Sequence, residues 1–166
     1  MSENYIVING KRAELTEEQL RQLGIEVSKA NPFARARKNG TYYYIDTVGK
    51  VIQYFKEMMK IDTLQYNTAN YCTDKGIMEQ RALHETLNRL LWRYSMEHEG
   101  DKINWDNTYT NKFVIDYSHN HNTFCVDVWH VSQPIGVVYF NTKETAENAI
   151  KEIIEPFMAA HPNFKW

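Results

Sequence analysis

A run of apolar residues at helical spacing constrains this chain more than any other feature. Ile77, Leu83, Leu87, Leu90, Leu91 and Tyr94 recur at three- and four-residue spacings, the period that gathers side chains on one face of an α-helix. Thr73 or Asp74 is placed to cap its start, and Gly100 supplies a stop. Gly76 in the first turn costs about 1 kcal/mol relative to alanine, which so long a stripe absorbs. The helix is expected to be the spine of the domain.

Strand signals flank it. Tyr5-Ile6-Val7-Ile8 meets Lys11-Arg12-Ala13-Glu14-Leu15 across Asn9-Gly10, the dipeptide best suited to a type I′ hairpin turn. A short helix follows, with Thr16 and Gln19 as a capping box, Leu15 and Leu20 as a hydrophobic staple and Gly24 as its stop. Asn31-Pro32-Phe33 ends this first lobe, because the residue before proline is pushed out of helical conformation. The sequence thus divides into an N-terminal lobe over 1–30 and a main domain over 31–166. Tyr42-Tyr43-Tyr44-Ile45 and Lys50-Val51-Ile52-Gln53-Tyr54-Phe55 read as a second hairpin about Asp46-Thr47-Val48-Gly49. Residues Lys56 to Ala69 carry no clear period.

After the central helix, Phe113–Tyr117, Thr123–His130 and Ile135–Phe140 suit an antiparallel meander. Phe124, Val126 and Val128 are expected on one face, and Cys125, Asp127 and Trp129 on the other. Thr142 caps a last helix whose stripe is Ala146, Ala149, Ile150, Ile153, Ile154 and Phe157, and Pro156 kinks it or ends its regular part. The expected class is α+β: antiparallel hairpins and a three-stranded meander packed against a long central helix and a C-terminal helix, with a small hairpin-helix lobe in front.

At 166 residues, 43% of them hydrophobic and 24% charged, the chain lies far from the composition of disorder. No stretch of about 20 apolar residues occurs, and Met1-Ser2-Glu3-Asn4 lacks the pattern of a signal peptide. A cytoplasmic protein without membrane contact is expected. Cys72 and Cys125 stand far apart, so packed free thiols are favoured over a redox or zinc pair. The net charge of −2 argues against tight nonspecific binding of nucleic acid.

Catalytic patterns are incomplete. His84-Glu85-Thr86-Leu87-Asn88 has Asn88 where a zinc protease needs its second histidine. His119, His121 and His130 cluster around a turn, with no cysteine or carboxylate to complete an obvious ligand set. No Gly-x-Ser-x-Gly elbow and no phosphate-binding glycine loop is present. The expectation is a protein that is not an enzyme and carries no cofactor or metal, although carboxylates paired by folding leave no sequence signature.

Binding candidates are of opposite charge. Arg35, Arg37 and Lys38 run into Tyr42, Tyr43 and Tyr44, which places cations near aromatic faces, a combination that holds nucleic acid, a nucleotide or an acidic protein. A solvated basic loop before an aromatic strand is the plainer alternative. Glu97, Glu99 and Asp101 form an acidic stretch at the helix end that could face a basic channel, and there the plainer alternative is a solvated helix terminus. With 11 tyrosines and 4 tryptophans the chain is rich in the residues that anchor protein interfaces.

Ile8-Asn9-Gly10-Lys11 and Glu14-Leu15-Thr16-Glu17-Glu18-Gln19-Leu20 open a longer order: Asn31-Pro32-Phe33, Tyr42-Tyr43-Tyr44-Ile45, Ile103-Asn104-Trp105, Val138-Tyr139-Phe140 before Thr142-Lys143-Glu144, then Pro156-Phe157-Met158 with His161-Pro162. In this order the chain resembles small accessory proteins of phages and prophages of Firmicutes across nearly its whole length. The resemblance implies a mobile-element gene. By analogy it also implies a non-enzymatic inhibitor of a host factor, such as a CRISPR effector nuclease, with a host protein or ribonucleoprotein as partner. A nucleic-acid or nucleotide binder using Arg35, Arg37, Lys38, Tyr42 and Tyr44 is the alternative, and an enzyme with an unrecognised site the third.

Overall fold

The computed structural model describes residues 5–23, 31–57, 59–99 and 103–165. Its contacts divide the chain into Met1–Ala34 and Arg35–Trp166, where the sequence divides it after residue 30.

In the first unit, β1 (Tyr5–Ile8) pairs antiparallel with β2 (Lys11–Glu14) in the register Ile8 to Lys11. Asn9 and Gly10 both take positive φ, 50° and 75°, as a type I′ turn requires. Helix α1 (Glu17–Gln22) starts with the expected capping box: Gln19 N donates to Thr16 Oγ1 at 3.3 Å, and Thr16 N donates to Gln19 Oε1 at 2.8 Å. Leu20 is buried and Leu15 half-buried. Gly24 lies outside the described residues.

The second unit begins with β3 (Thr41–Ile45) and β4 (Val51–Phe55), paired so that Tyr42 faces Tyr54 and Ile45 faces Val51. Asp46 shapes their turn, its Oδ1 accepting from Val48 N and Lys50 N, while Gly49 takes φ 86°. Helix α2 (Lys60–Asn67) fills the region without a period. Helix α3 (Lys75–Glu99) is the expected spine, and Asp74 is its cap, with Oδ1 accepting from Ile77 N at 3.0 Å. Gly100 lies outside the described residues.

Helix α3 does not bury a single stripe. Its first half sets Met78 and Ala82 into a small core with Ile45 and Cys72, flanked by Tyr43 and Val51 of the hairpin. Its second half sets Leu87, Leu91 and Tyr94 into a larger core with Phe140, Ala146, Ile154 and Phe157. Ile77, expected in the stripe, is exposed. At about 3.6 residues per turn, Met78 and Leu87 stand on nearly opposite sides, so the helix is a partition between two cores.

Strands β5 (Lys112–Ser118) and β6 (Thr123–Trp129) pair in the register Phe113 to Val128. The expected third strand, Ile135–Phe140, shrinks to one bridge in which Phe113 and Phe140 exchange backbone bonds of 2.8 and 2.9 Å. Pro134 has no donor for a ladder and Gly136 turns at φ 82°. The segment instead hangs on α3, with Asn88 Nδ2 donating to Gly136 O and Ser95 Oγ to Tyr139 O.

Helix α4 (Lys143–Ala149) is capped by Thr142, whose Oγ1 accepts from Thr145 N. It continues through a π-helical turn, Ile150–Ile154, into α5 (Glu155–Ala160). Pro156 cannot donate to the carbonyl four residues back. The preceding turn is widened, with Glu155 N reaching Ile150 O, while Ala146, Ala149, Ile154 and Phe157 stay buried. The molecule is α+β, with three two-stranded antiparallel sheets in its described residues. No helix among the described residues is long and apolar enough to cross a membrane.

Candidate functional site

The β3–β4 hairpin has an aromatic outer face. Tyr42 is fully buried, stacked on Tyr71 with ring centres 4.2 Å apart, and its hydroxyl donates to Asp62 Oδ1 at 2.8 Å. Asp62, also buried, accepts through Oδ2 from Met59 N at 2.8 Å and Glu57 N at 3.2 Å. One carboxylate thus caps α2 and anchors the hairpin. Burial pushes the Tyr42 phenol far above its ordinary pKa, and the bond to Asp62 adds to this. Burial raises Tyr71 as well, partly offset by Ala36 N, which donates to the Tyr71 hydroxyl at 2.9 Å.

This arrangement corrects one expected site residue. Tyr42 belongs to the core and presents no face to a ligand, while Tyr44 is half-buried beside Tyr54 at 6.4 Å. Arg35 caps the cluster from outside, its guanidinium 4.4 Å from the Tyr66 ring centre. Arg37 and Lys38 are exposed on the loop behind it. The expected cation–aromatic pairing is therefore made, but by Tyr66 rather than by the strand tyrosines.

Of the acidic stretch, Glu97 is exposed, with Oε1 3.9 Å from Arg93 Nε. The Glu99 side chain and Asp101 lie outside the described residues. Among the described residues no three His, Cys, Asp or Glu side chains gather where a metal could sit. His121 Nδ1 meets Ser118 Oγ at 3.0 Å, and His84 packs on Phe164 with centres 4.6 Å apart. Cys72 is buried, which raises its thiol pKa, and Cys125 is exposed.

An exposed apolar surface lies on α3 and the segments beside it. Trp92 is 58% exposed, Met96 41%, Val48 73% and Val137 41%. Trp92 separates two clefts. One, of about 290 Å³, is lined by Met96, Ile103, Trp105, Val137 and Tyr139; the other, of about 540 Å³, by Thr47, Val48, Arg89, Leu90 and Arg93. Behind the first, Lys112 is fully buried, and its ammonium donates to the carbonyls of Asn107, Thr110 and His130 at 3.0 to 3.2 Å. It lies 5.3 Å from the Trp105 ring centre, which ties the loop bearing Trp105 to β5.

No known protein family, curated protein or solved structure matches this chain.

A second route to a partner, strand addition at β6, is guarded at one position, Val128. Phe113 spends its N–H and C=O on Phe140, so the opposite residue, Val128, points its own outward. Asp127 Oδ1 takes that Val128 N–H at 2.7 Å. A charged side chain folded onto a free strand edge is a common guard against unwanted pairing.

The sequence assigns none of the residues around Trp92 to a binding site; Leu90 and Val48 read there only as stripe and turn residues. A signal was present: Trp92 and Met96 fall four residues apart, on the side of α3 that a single stripe of leucines leaves to solvent.

Proposed function

We propose that this chain is a non-enzymatic binding protein that docks on a partner protein through the apolar surface around Trp92. In the host it inhibits a defence nuclease complex, in the manner of an anti-CRISPR protein. The observation that carries the docking reading is the exposure of Trp92 between two clefts, with Met96, Val48 and Val137 around it. Exposed apolar surface with tryptophan at its centre is the composition of an interface hot spot. The inhibitory assignment rests on the resemblance to phage accessory proteins.

The exposed Arg37 and Lys38 beside the Arg35–Tyr66 pair favour a second reading, a nucleic-acid or nucleotide binder. The test is reconstitution. Candidate CRISPR effectors from a Firmicute host are assayed for target cleavage with and without the chain, and with Trp92→Ala. Inhibition at stoichiometric concentration that Trp92→Ala loses supports the proposal. Inhibition that instead requires Arg35, Arg37 and Lys38 favours the second reading, and no inhibition of any effector rejects the anti-CRISPR role.

A further inference from the structure

The side of α3 that carries Trp92 is the side that carries Met78 and Ala82. Met96 stands about five turns beyond Met78, and Arg89 and Trp92 fall within about 40° of the same line at about 100° per residue. Over the first half of the helix this side is covered by the β3–β4 hairpin through Ile45 and Val51. The hairpin stops at its turn, where a Cβ on Gly49 would stand 3.0 Å from Arg89 Nη2 and 3.4 Å from Thr86 Oγ1. Past that turn Arg89, Trp92, Arg93 and Met96 are exposed. An established packing face thus continues into solvent.

Its charge is specific. Arg89 rests against Gly49 and donates from Nη2 to Thr86 Oγ1 at 3.2 Å, so one guanidinium is held in the wall of the cleft. Arg93 forms the other side, and its loose partner Glu97 is one turn further on at 3.9 Å. We propose, building on the Trp92 docking reading, that this cleft receives an acidic segment of the partner. A large apolar side chain seats against Trp92 and Val48, and a carboxylate of the same segment lies between Arg89 and Arg93. Guanidinium groups bind carboxylates through paired hydrogen bonds, and two of them beside the anchor site disfavour a basic segment.

The probe is a displayed library of random 16-residue peptides, selected on the whole protein. Enriched peptides are expected to combine an aromatic or leucine anchor with Asp or Glu nearby. Each should weaken at least tenfold against Trp92→Ala and against Arg93→Glu, and weaken further as salt rises. Arg89→Glu/Arg93→Glu should shift selection to basic peptides; Arg93→Glu alone covers the case in which the double variant fails to fold, which melting reports. Peptides that need Trp92 but show no acidic preference overturn this inference and leave the docking reading standing. Peptides indifferent to Trp92, or none at all, overturn both. A dimer in sedimentation that Trp92→Ala splits makes a second copy the occupant and overturns the proposal. So does single-stranded RNA held through Arg89 and Arg93 at physiological salt.

Discussion

A buried phenol hydrogen-bonded to a buried carboxylate has a definite pH signature. Tyr42, Tyr71, Tyr94 and Tyr139 all titrate above their ordinary value of 10.0, with burial the largest cause in each. A group whose folded pKa is raised contributes its full stabilisation below its unfolded pKa and loses it as pH climbs toward the folded one. Stability should hold up to about pH 10, the ordinary phenol value, and fall steeply above it. Chemical denaturation across that range, compared with Tyr42→Phe, checks this: the phenylalanine variant should show a shallower alkaline slope, and equal slopes refute it. Asp62→Ala should cost about 2–4 kcal/mol by urea titration, because it removes the carboxylate in the first turn of α2 that accepts from Met59 N and Glu57 N and orphans the Tyr42 hydroxyl. Asp62 was not legible in the sequence. It lies in the stretch without a period, and its partner Tyr42 reads from the sequence as part of a binding surface, because a hydroxyl's burial depends on a carboxylate distant in the chain. Tyr66, by contrast, took the cation that proximity in sequence had given to the strand tyrosines.

Among the elements, α3 shows how far periodicity reaches. Capping at Asp74 and burial at Leu87, Leu91 and Tyr94 follow from the sequence, as do the two hairpins, whose turn residues are chemically explicit. The change of buried side does not, because a stripe counted in leucines misses Met78 and Ala82, and flexible or small side chains carry little hydrophobic signal. The two-core arrangement predicts that Leu87→Ala and Leu91→Ala each cost about 2–5 kcal/mol, and that Met78→Ala falls in the same range although it lies on the opposite side. Ile77→Ala, which a single stripe would make equally costly, should stay within about 0.5 kcal/mol. Equal effects at Ile77 and Met78 in thermal melts would restore the single stripe. The lost third strand has a similar cause. Ile135–Phe140 has strand-like composition, but Pro134 and Gly136 decide the backbone, and the side chains of Asn88 and Ser95 hold the segment to the helix in place of a ladder.

For the molecule as a whole, the question is which charged surface can hold a polyanion. The net charge is −2, so the long-range field does not gather nucleic acid, and any binding must come from a local patch. At the Arg35 loop that patch is small: Arg35 is already engaged on Tyr66, Lys56 Nζ donates inward to Ala36 O at 2.6 Å, and Arg37 and Lys38 remain outward. Tyr42, which would have supplied a stacking platform, is buried. Each phosphate neutralised on a single strand contributes about −0.7 to the slope of log affinity against log salt. Three cations therefore give a slope near −2, too shallow for strong binding to arise from charge. Labelled single-stranded DNA and RNA, titrated at two salt concentrations, should bind weakly at low salt and lose most of that at physiological salt. Arg35→Ala/Arg37→Ala/Lys38→Ala should change little. Submicromolar affinity in physiological salt that the triple variant abolishes would make nucleic acid the ligand of this surface, and would reduce the exposed apolar surface around Trp92 to a secondary role.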